Sequence, residues 1–146
     1  MPTASSLPEP VQPFAHYRPL RSHNGLLYIS GQVAVADGTF PHRGRVGAEL
    51  TLEEGVRSAR QCALNVLAAA VAETGSLDRI TAVLKLTVFV SGGDGFTDHH
   101  LVANGASDAF LEFLGEEIGS HARSAVGVPR LPMDSPVEVE AVLAID

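Results

Sequence analysis

The stretch that most constrains this chain is its end, where Val137, Val139 and Ala141 alternate with Glu138 and Glu140. A period of two is the mark of a β-strand with one dry and one polar face. Ahead of it, His121 to Val128 reads as a second strand, joined to the first by a turn carrying Pro129, Pro132 and Pro136. Arg123 stands at the mouth of that strand. A guanidinium and a carboxylate brought together at strand ends, beside apolar neighbours, can bind a small anion and manage a proton or a water. A structural salt bridge accounts for the same residues equally well.

The remaining elements follow from local signals. Residues 1–13 hold four prolines among small polar residues and read as a loose lead-in, leaving 14–146 as one domain. Asn24-Gly25 between two strand-like runs predicts a hairpin, because both residues tolerate positive φ. Gly31 inside the second run predicts a bulge or a close backbone approach, or else relief of packing against a helix. Residues 36–50 read as a loop. Thr51-Leu52-Glu53-Glu54 is a capping box, with the threonine accepting from the Glu54 amide and Glu54 reaching back. Val56, Ala59, Ala63, Val66, Leu67 and Ala70 supply the helix's apolar stripe, and Gly75 its C-terminal stop. Ile80 to Val90 reads as a strand with Leu84, Leu86, Val88 and Val90 on one face. A second helix begins near Thr97 or Asp98, with Val102, Ala106, Ala109, Phe110 and Phe113 as its stripe and Gly115 and Gly119 as stops. The order β-β-α-β-α-β-β predicts an α+β fold, a mixed sheet with both helices packed on one face. Its other face, with Val and Leu at alternate positions, is then left open and predicts an oligomer interface.

Composition excludes several function classes. No apolar run approaches the roughly 20 residues of a membrane span, and the first residues have neither the basic nor the apolar region of a secretory signal. One cysteine, Cys62, forms no internal disulfide and suits a reducing compartment, so the expected location is cytoplasmic. Beside the helix stripe, it reads as a small helix residue rather than a nucleophile. A net charge of −7 and the absence of tryptophan argue against a nucleic-acid platform. His99 and His100 are adjacent on a helix and point about 100° apart, which suits surface residues better than joint metal ligands. Phosphate-loop and dinucleotide fingerprints are missing, and Ile29-Ser30-Gly31-Gln32 lacks the frame of a hydrolase elbow.

Taken together, several segments resemble the reactive intermediate deaminase (Rid) family, also known as L-PSP endoribonucleases, with a chorismate-mutase-like fold. They are Tyr28-Ile29-Ser30-Gly31-Gln32, Lys85-Leu86-Thr87-Val88-Phe89-Val90, Ala122-Arg123-Ser124-Ala125-Val126, Leu131-Pro132 and Val137-Glu138-Val139-Glu140-Ala141. The resemblance runs from about Tyr17 to Ile145. It implies a homotrimer with sites in clefts between subunits. Arg123 would grip the carboxylate of a 2-imino or 2-enamino acid, for which its planar fork is suited. Glu138 would orient or activate the attacking water. Tyr17 and Ser30 would line the cleft, with Gly31 and Ala125 beside them. The products would be a 2-oxo acid and ammonia. Neither a metal nor an organic cofactor is implied, since an imine is already electrophilic.

Two departures from that family stand out. Ala125 occupies the place where many of its deaminases carry cysteine, which bears on the substrate more than on the site. The segment Phe113 to His121 also runs longer, so His121 either enters the site or simply closes the loop. Two other functions compete with the deaminase. One is a binding or regulatory trimer that keeps Arg123 for a carboxylate without turnover. The other is the ribonuclease of the family's older name, against which the acidic charge speaks.

Overall fold

Asn24 and Gly25 turn the chain with φ of 50° and 76°, as a tight hairpin of this sequence requires. The computed structural model describes all 146 residues. The turn joins β1 (Leu20–His23) to β2 (Leu26–Val33) in antiparallel register. Helix α1 spans Leu52–Thr74. Thr51 Oγ accepts from the Glu54 amide at 3.1 Å, but the Glu54 carboxylate lies 3.5 Å from His42 instead of returning to the cap. Half of the predicted box therefore closes. Gly75 ends the helix at φ 88°, its amide bonded to the Val71 carbonyl. Strand β3 (Ile80–Ser91), helix α2 (His99–Gly119), β4 (Ala122–Val128) and β5 (Val137–Ile145) complete the predicted order.

The sheet runs β1-β2-β5-β3-β4. β5 is antiparallel to both its neighbours, and only β3 and β4 run parallel. Both helices lie on one face, over Leu27, Ile29, Leu86, Val88, Val139 and Leu143. They cross at Gly105, where a Cβ would overlap the Val56 carbonyl oxygen. The fold is the α+β architecture predicted from sequence. No helix is long and apolar enough to cross a membrane.

Three expectations are corrected. The last two strands do not meet, because β3 lies between β5 and β4. Strand β4 returns through α2 to run parallel to β3, and residues 129–136 arch over the end of β3. Buried Ser91 holds both feet of the arch: its amide donates to Pro136 and its hydroxyl to Pro129. Second, Leu84 does not share the inner face of β3. The register against β5 shifts between Val83 and Lys85, so Leu84 is the extra residue, 42% exposed, and Val83 takes the buried position. Third, the open face is mixed rather than lined with Val and Leu. Tyr28, Lys85, Thr87, Phe89, Val126, Glu138, Glu140 and Val142 occupy its rows, because the dry residues of each strand are spent on the helices.

Residues 4–10 pack along the helix layer, with Leu7 against the core and Pro8 and Pro10 near Ala68, Val71 and Ala72. Asn65, 1% exposed, secures the exit of β2. Its amide donates to the Val33 and Val35 carbonyls, each at 3.0 Å, and its oxygen accepts from Gln61. Asn65→Ala would leave both carbonyls dry. Urea unfolding should show a loss of roughly 1–3 kcal/mol for each carbonyl that water cannot reach.

Candidate functional site

Arg123 begins from its place on an edge strand. It pairs in register with Leu86, so its side chain leaves the sheet on the helix side, under the first half of α2. His100, Asn104 and Ser107 follow one another on α2 at spacings of four and three, which aligns them on one face. All three hold the guanidinium. Nη1 donates to Asn104 Oδ1 at 3.0 Å and to Ser107 Oγ at 2.9 Å, and Nη2 donates to the His100 carbonyl at 3.1 Å. Three of five N–H groups are thereby committed, leaving Nε–H and one Nη2–H. No carboxylate pairs with Arg123. Ala125 follows two residues on along the same face, level with Val88. It packs on the core.

Glu138 sits across the sheet. It pairs with Phe89 on one side and Val33 on the other, in the polar row of β5. The bulge predicted at Gly31 is present as a register shift between Ile29 and Gln32. The predicted close approach is present too, for a Cβ on residue 31 would come within 2.7 Å of Glu138 Cδ. Only glycine leaves room for the carboxylate at that point. Phe14, Tyr17, Gly31, Val33, Pro132 and Glu138 are among the residues lining a cavity of about 140 Å³. It suits a ligand of a few heavy atoms. Partial burial pushes the Glu138 carboxyl above its ordinary pKa, and the charge of Glu140 adds to the rise. Ser30 is half-buried beside this cavity, and its hydroxyl donates to the Arg18 carbonyl at 2.7 Å.

The predicted residues thus fall into two groups. Tyr17, Gly31 and Glu138 come together at one cavity. Arg123 and Ala125 share the helix side of β4, and the sheet separates them from that cavity. One chain does not bring its guanidinium and carboxylate together, nor does it pair them as a salt bridge. Asn104 and Ser107 were not read from sequence as site residues. The polar stripe they make beside Val102, Ala106 and Ala109 was their only signal. The ring of His99 packs edge-on to Phe96, with centroids 5.2 Å apart, and no three His, Cys, Asp or Glu side chains cluster to hold a metal ion. Cys62 is fully buried, its thiol directed at the Val137 carbonyl at 3.4 Å, and burial pushes its pKa up.

The chain is similar to several known proteins over most of its length. Protein TCP17 of Trypanosoma cruzi is 43% identical over 140 residues, covering 96% of this chain and 88% of that protein. Atu1372 of Agrobacterium tumefaciens, a crystal structure of unknown function, is 41% identical with a TM-score of 0.87. That match covers 90% of this chain and 83% of the other. E. coli TdcF, solved with bound serine, is 25% identical with a TM-score of 0.66, covering 96% and 94% of the two chains. Residues 7–145 match the sequence profile of the family described as Endoribonuclease L-PSP. The fold, its element order and this match agree, and the chain belongs to the Endoribonuclease L-PSP family.

Proposed function

We propose that this protein hydrolyses reactive 2-imino and 2-enamino acids to 2-oxo acids and ammonia, in clefts that two subunits of a homotrimer build together. The observation that carries this reading is the Arg123 guanidinium, held by three neutral acceptors with two N–H groups uncommitted. Such a group has no carboxylate beside it and still has Nε–H and one Nη2–H to offer, donors of the kind a carboxylate accepts. The similarity to TdcF, solved with serine bound, supports a small carboxylate-bearing ligand.

Glu138 supplies the second half. Its raised pKa brings the carboxylate closer to the working range of a general base. An enamine substrate first shifts to its imine. Water then adds across C=N: Glu138 takes one water proton as the water oxygen bonds to C2, and passes that proton to the imine nitrogen. The carbinolamine hydroxyl then gives its proton through Glu138 to the amine nitrogen as its electrons form C=O. The C–N bond breaks to release ammonia, with Glu138 returned to the carboxylate. Tyr17, Ser30 and Gly31 would border the reacting atoms from the Glu138 side, and Ala125 from the Arg123 side. Because one chain keeps these two groups apart, the complete cleft needs the open edge of a neighbouring copy.

The second reading is a trimer that binds carboxylates without turnover. The separation of Arg123 from Glu138 within one chain favours it, since binding needs only Arg123. Ribonuclease activity, the subject of the family's name, has no basic platform to stand on in a chain of net charge −7.

Light scattering at micromolar concentration should give the mass of three chains. A stable monomer would remove the shared cleft. Arg123→Ala should weaken binding of 2-oxobutanoate more than about tenfold while the fold is kept, the scale of a lost charge-assisted bond. Arg123→Lys should recover only part, because a point charge does not reproduce the fork. Calorimetry giving wild-type affinity for the alanine variant would strike Arg123 from the site.

Glu138→Gln separates catalyst from binder. A carboxyl whose pKa is raised by folding favours the fold below its unfolded pKa, and this contribution is lost as pH rises through the folded value. At neutral pH the ionised Glu138 therefore opposes folding, and glutamine should hold or raise the melting temperature. Ligand affinity should survive, while hydrolysis of 2-aminoacrylate generated in place by a dehydratase should fall by about 10²–10⁴-fold. Unchanged single-turnover hydrolysis would leave Glu138 no catalytic part.

A further inference from the structure

The segment between α2 and β4 is built to bring one side chain back over the helix. Gly115 breaks the regular helix at φ 77° and ψ 170°, and one further turn ends at Gly119. A Cβ on residue 119 would come within 2.7 Å of the Phe110 carbonyl oxygen, so this turn presses directly on the α2 backbone. His121 then lies with its ring edge toward Phe110, centroids 6.1 Å apart. Both of its nitrogens are engaged. Nδ1 lies 2.6 Å from the Gly119 carbonyl and Nε2 lies 2.8 Å from Ser107 Oγ.

With a neutral His121 ring, the hydrogens in this chain have one direction. A carbonyl oxygen only accepts, so Nδ1 carries the hydrogen, and in the neutral ring Nε2 accepts. The Ser107 hydroxyl must then donate to His121, which turns its lone pairs toward Arg123. The sequence Arg123 Nη1–H to Ser107 Oγ–H to His121 Nε2, and on through Nδ1–H to Gly119 O, leaves no donor without an acceptor.

We infer that Ser107 and His121 form a relay that fixes the Arg123 guanidinium for an incoming carboxylate, so that both are positioning residues for the binding step. This inference rests on the reading of Arg123 as the carboxylate fork. Neither Ser107 nor His121 brings a negative charge to the guanidinium, and that is the point. An aspartate or glutamate at residue 107 would hold the guanidinium more strongly, but it would cancel the charge that the ligand must meet and compete for the same N–H groups. A serine whose hydroxyl hydrogen is already taken by histidine can present only lone pairs to the arginine. It orients without neutralising.

The test is calorimetric titration with 2-oxobutanoate, paired with melting curves. Ser107→Ala and His121→Phe, the latter keeping a ring against Phe110, should each weaken binding about three- to tenfold, as expected for one lost neutral hydrogen bond. Melting temperatures should be unchanged. Ser107→Thr and His121→Gln, which retain a hydroxyl and an acceptor respectively, should recover most of the affinity. The Ser107→Ala, His121→Phe double variant should bind no worse than Ser107→Ala alone, because the two act in series. Wild-type affinity in both single variants, with Arg123→Ala inactive in binding, would overturn the relay and leave the carboxylate reading standing. Affinity that falls only in step with melting temperature, without rescue by threonine or glutamine, would also overturn it. Wild-type affinity in Arg123→Ala would overturn the carboxylate reading and the relay with it.

Discussion

The structure depends on β5 lying between β2 and β3. As the middle strand it has both backbone edges paired, so its side-chain alternation sets the two environments of the whole sheet. Val137, Val139, Ala141 and Leu143 are almost wholly buried and give the helices their floor. Glu138 and Glu140 are then obliged to face the other way. The start of the strand is pinned by Ser135, fully buried, which accepts from the Ala34 amide and donates to the Val137 carbonyl. A residue shift at that point would carry the carboxylates into the core, so the register is held by a large energy difference.

The sheet keeps the two ionic groups of the candidate site apart, with β3 between the strands that carry them. Arg45, Arg60, Arg79 and Arg130 all sit against carboxylates. Arg123 does not, although the chain carries seventeen acidic residues. Glu138 likewise has no cation within bonding distance. Arg123 leaves the sheet on the helix side and Glu138 on the other face, two strands away. Both charges are thereby left open to a third party, and the fold tolerates this because each group is only partly buried.

Local elements were legible in the sequence where the signal was chemical and short-range. Asn24-Gly25, Gly75 and Gly115 each name a backbone conformation, and each is found, while of the Thr51 to Glu54 box only the threonine half closes. Gly31 carried both of its expected signatures, the bulge and the close approach. Strand neighbours were not legible, because alternation in β4 and β5 states that each has two faces but not which strand lies beside it. The parallel β3–β4 pairing is decided by the crossover through α2 and by Ser91 at the arch. Leu84 misled for a similar reason. A bulge changes the parity of everything beyond it, and nothing in Val83-Leu84-Lys85 announces one. Of the candidate site, Arg123, Glu138, Gly31 and Tyr17 could be named from the resemblance, but the three groups that hold Arg123 come from a helix whose polar residues looked like ordinary surface.

The fit between Gly31 and Glu138 has a consequence for how this sequence can vary. The carboxylate occupies the volume that any side chain at residue 31 would need, so the two positions share one space. A methyl group at residue 31 is compatible only with a shorter or differently turned side chain at residue 138, although 107 residues of sequence separate them. The constraint runs one way: a side chain at residue 31 requires the Glu138 carboxylate to turn away or shorten first, whereas residue 138 can become smaller with glycine in place. The order of changes at this corner is therefore set by residue 138.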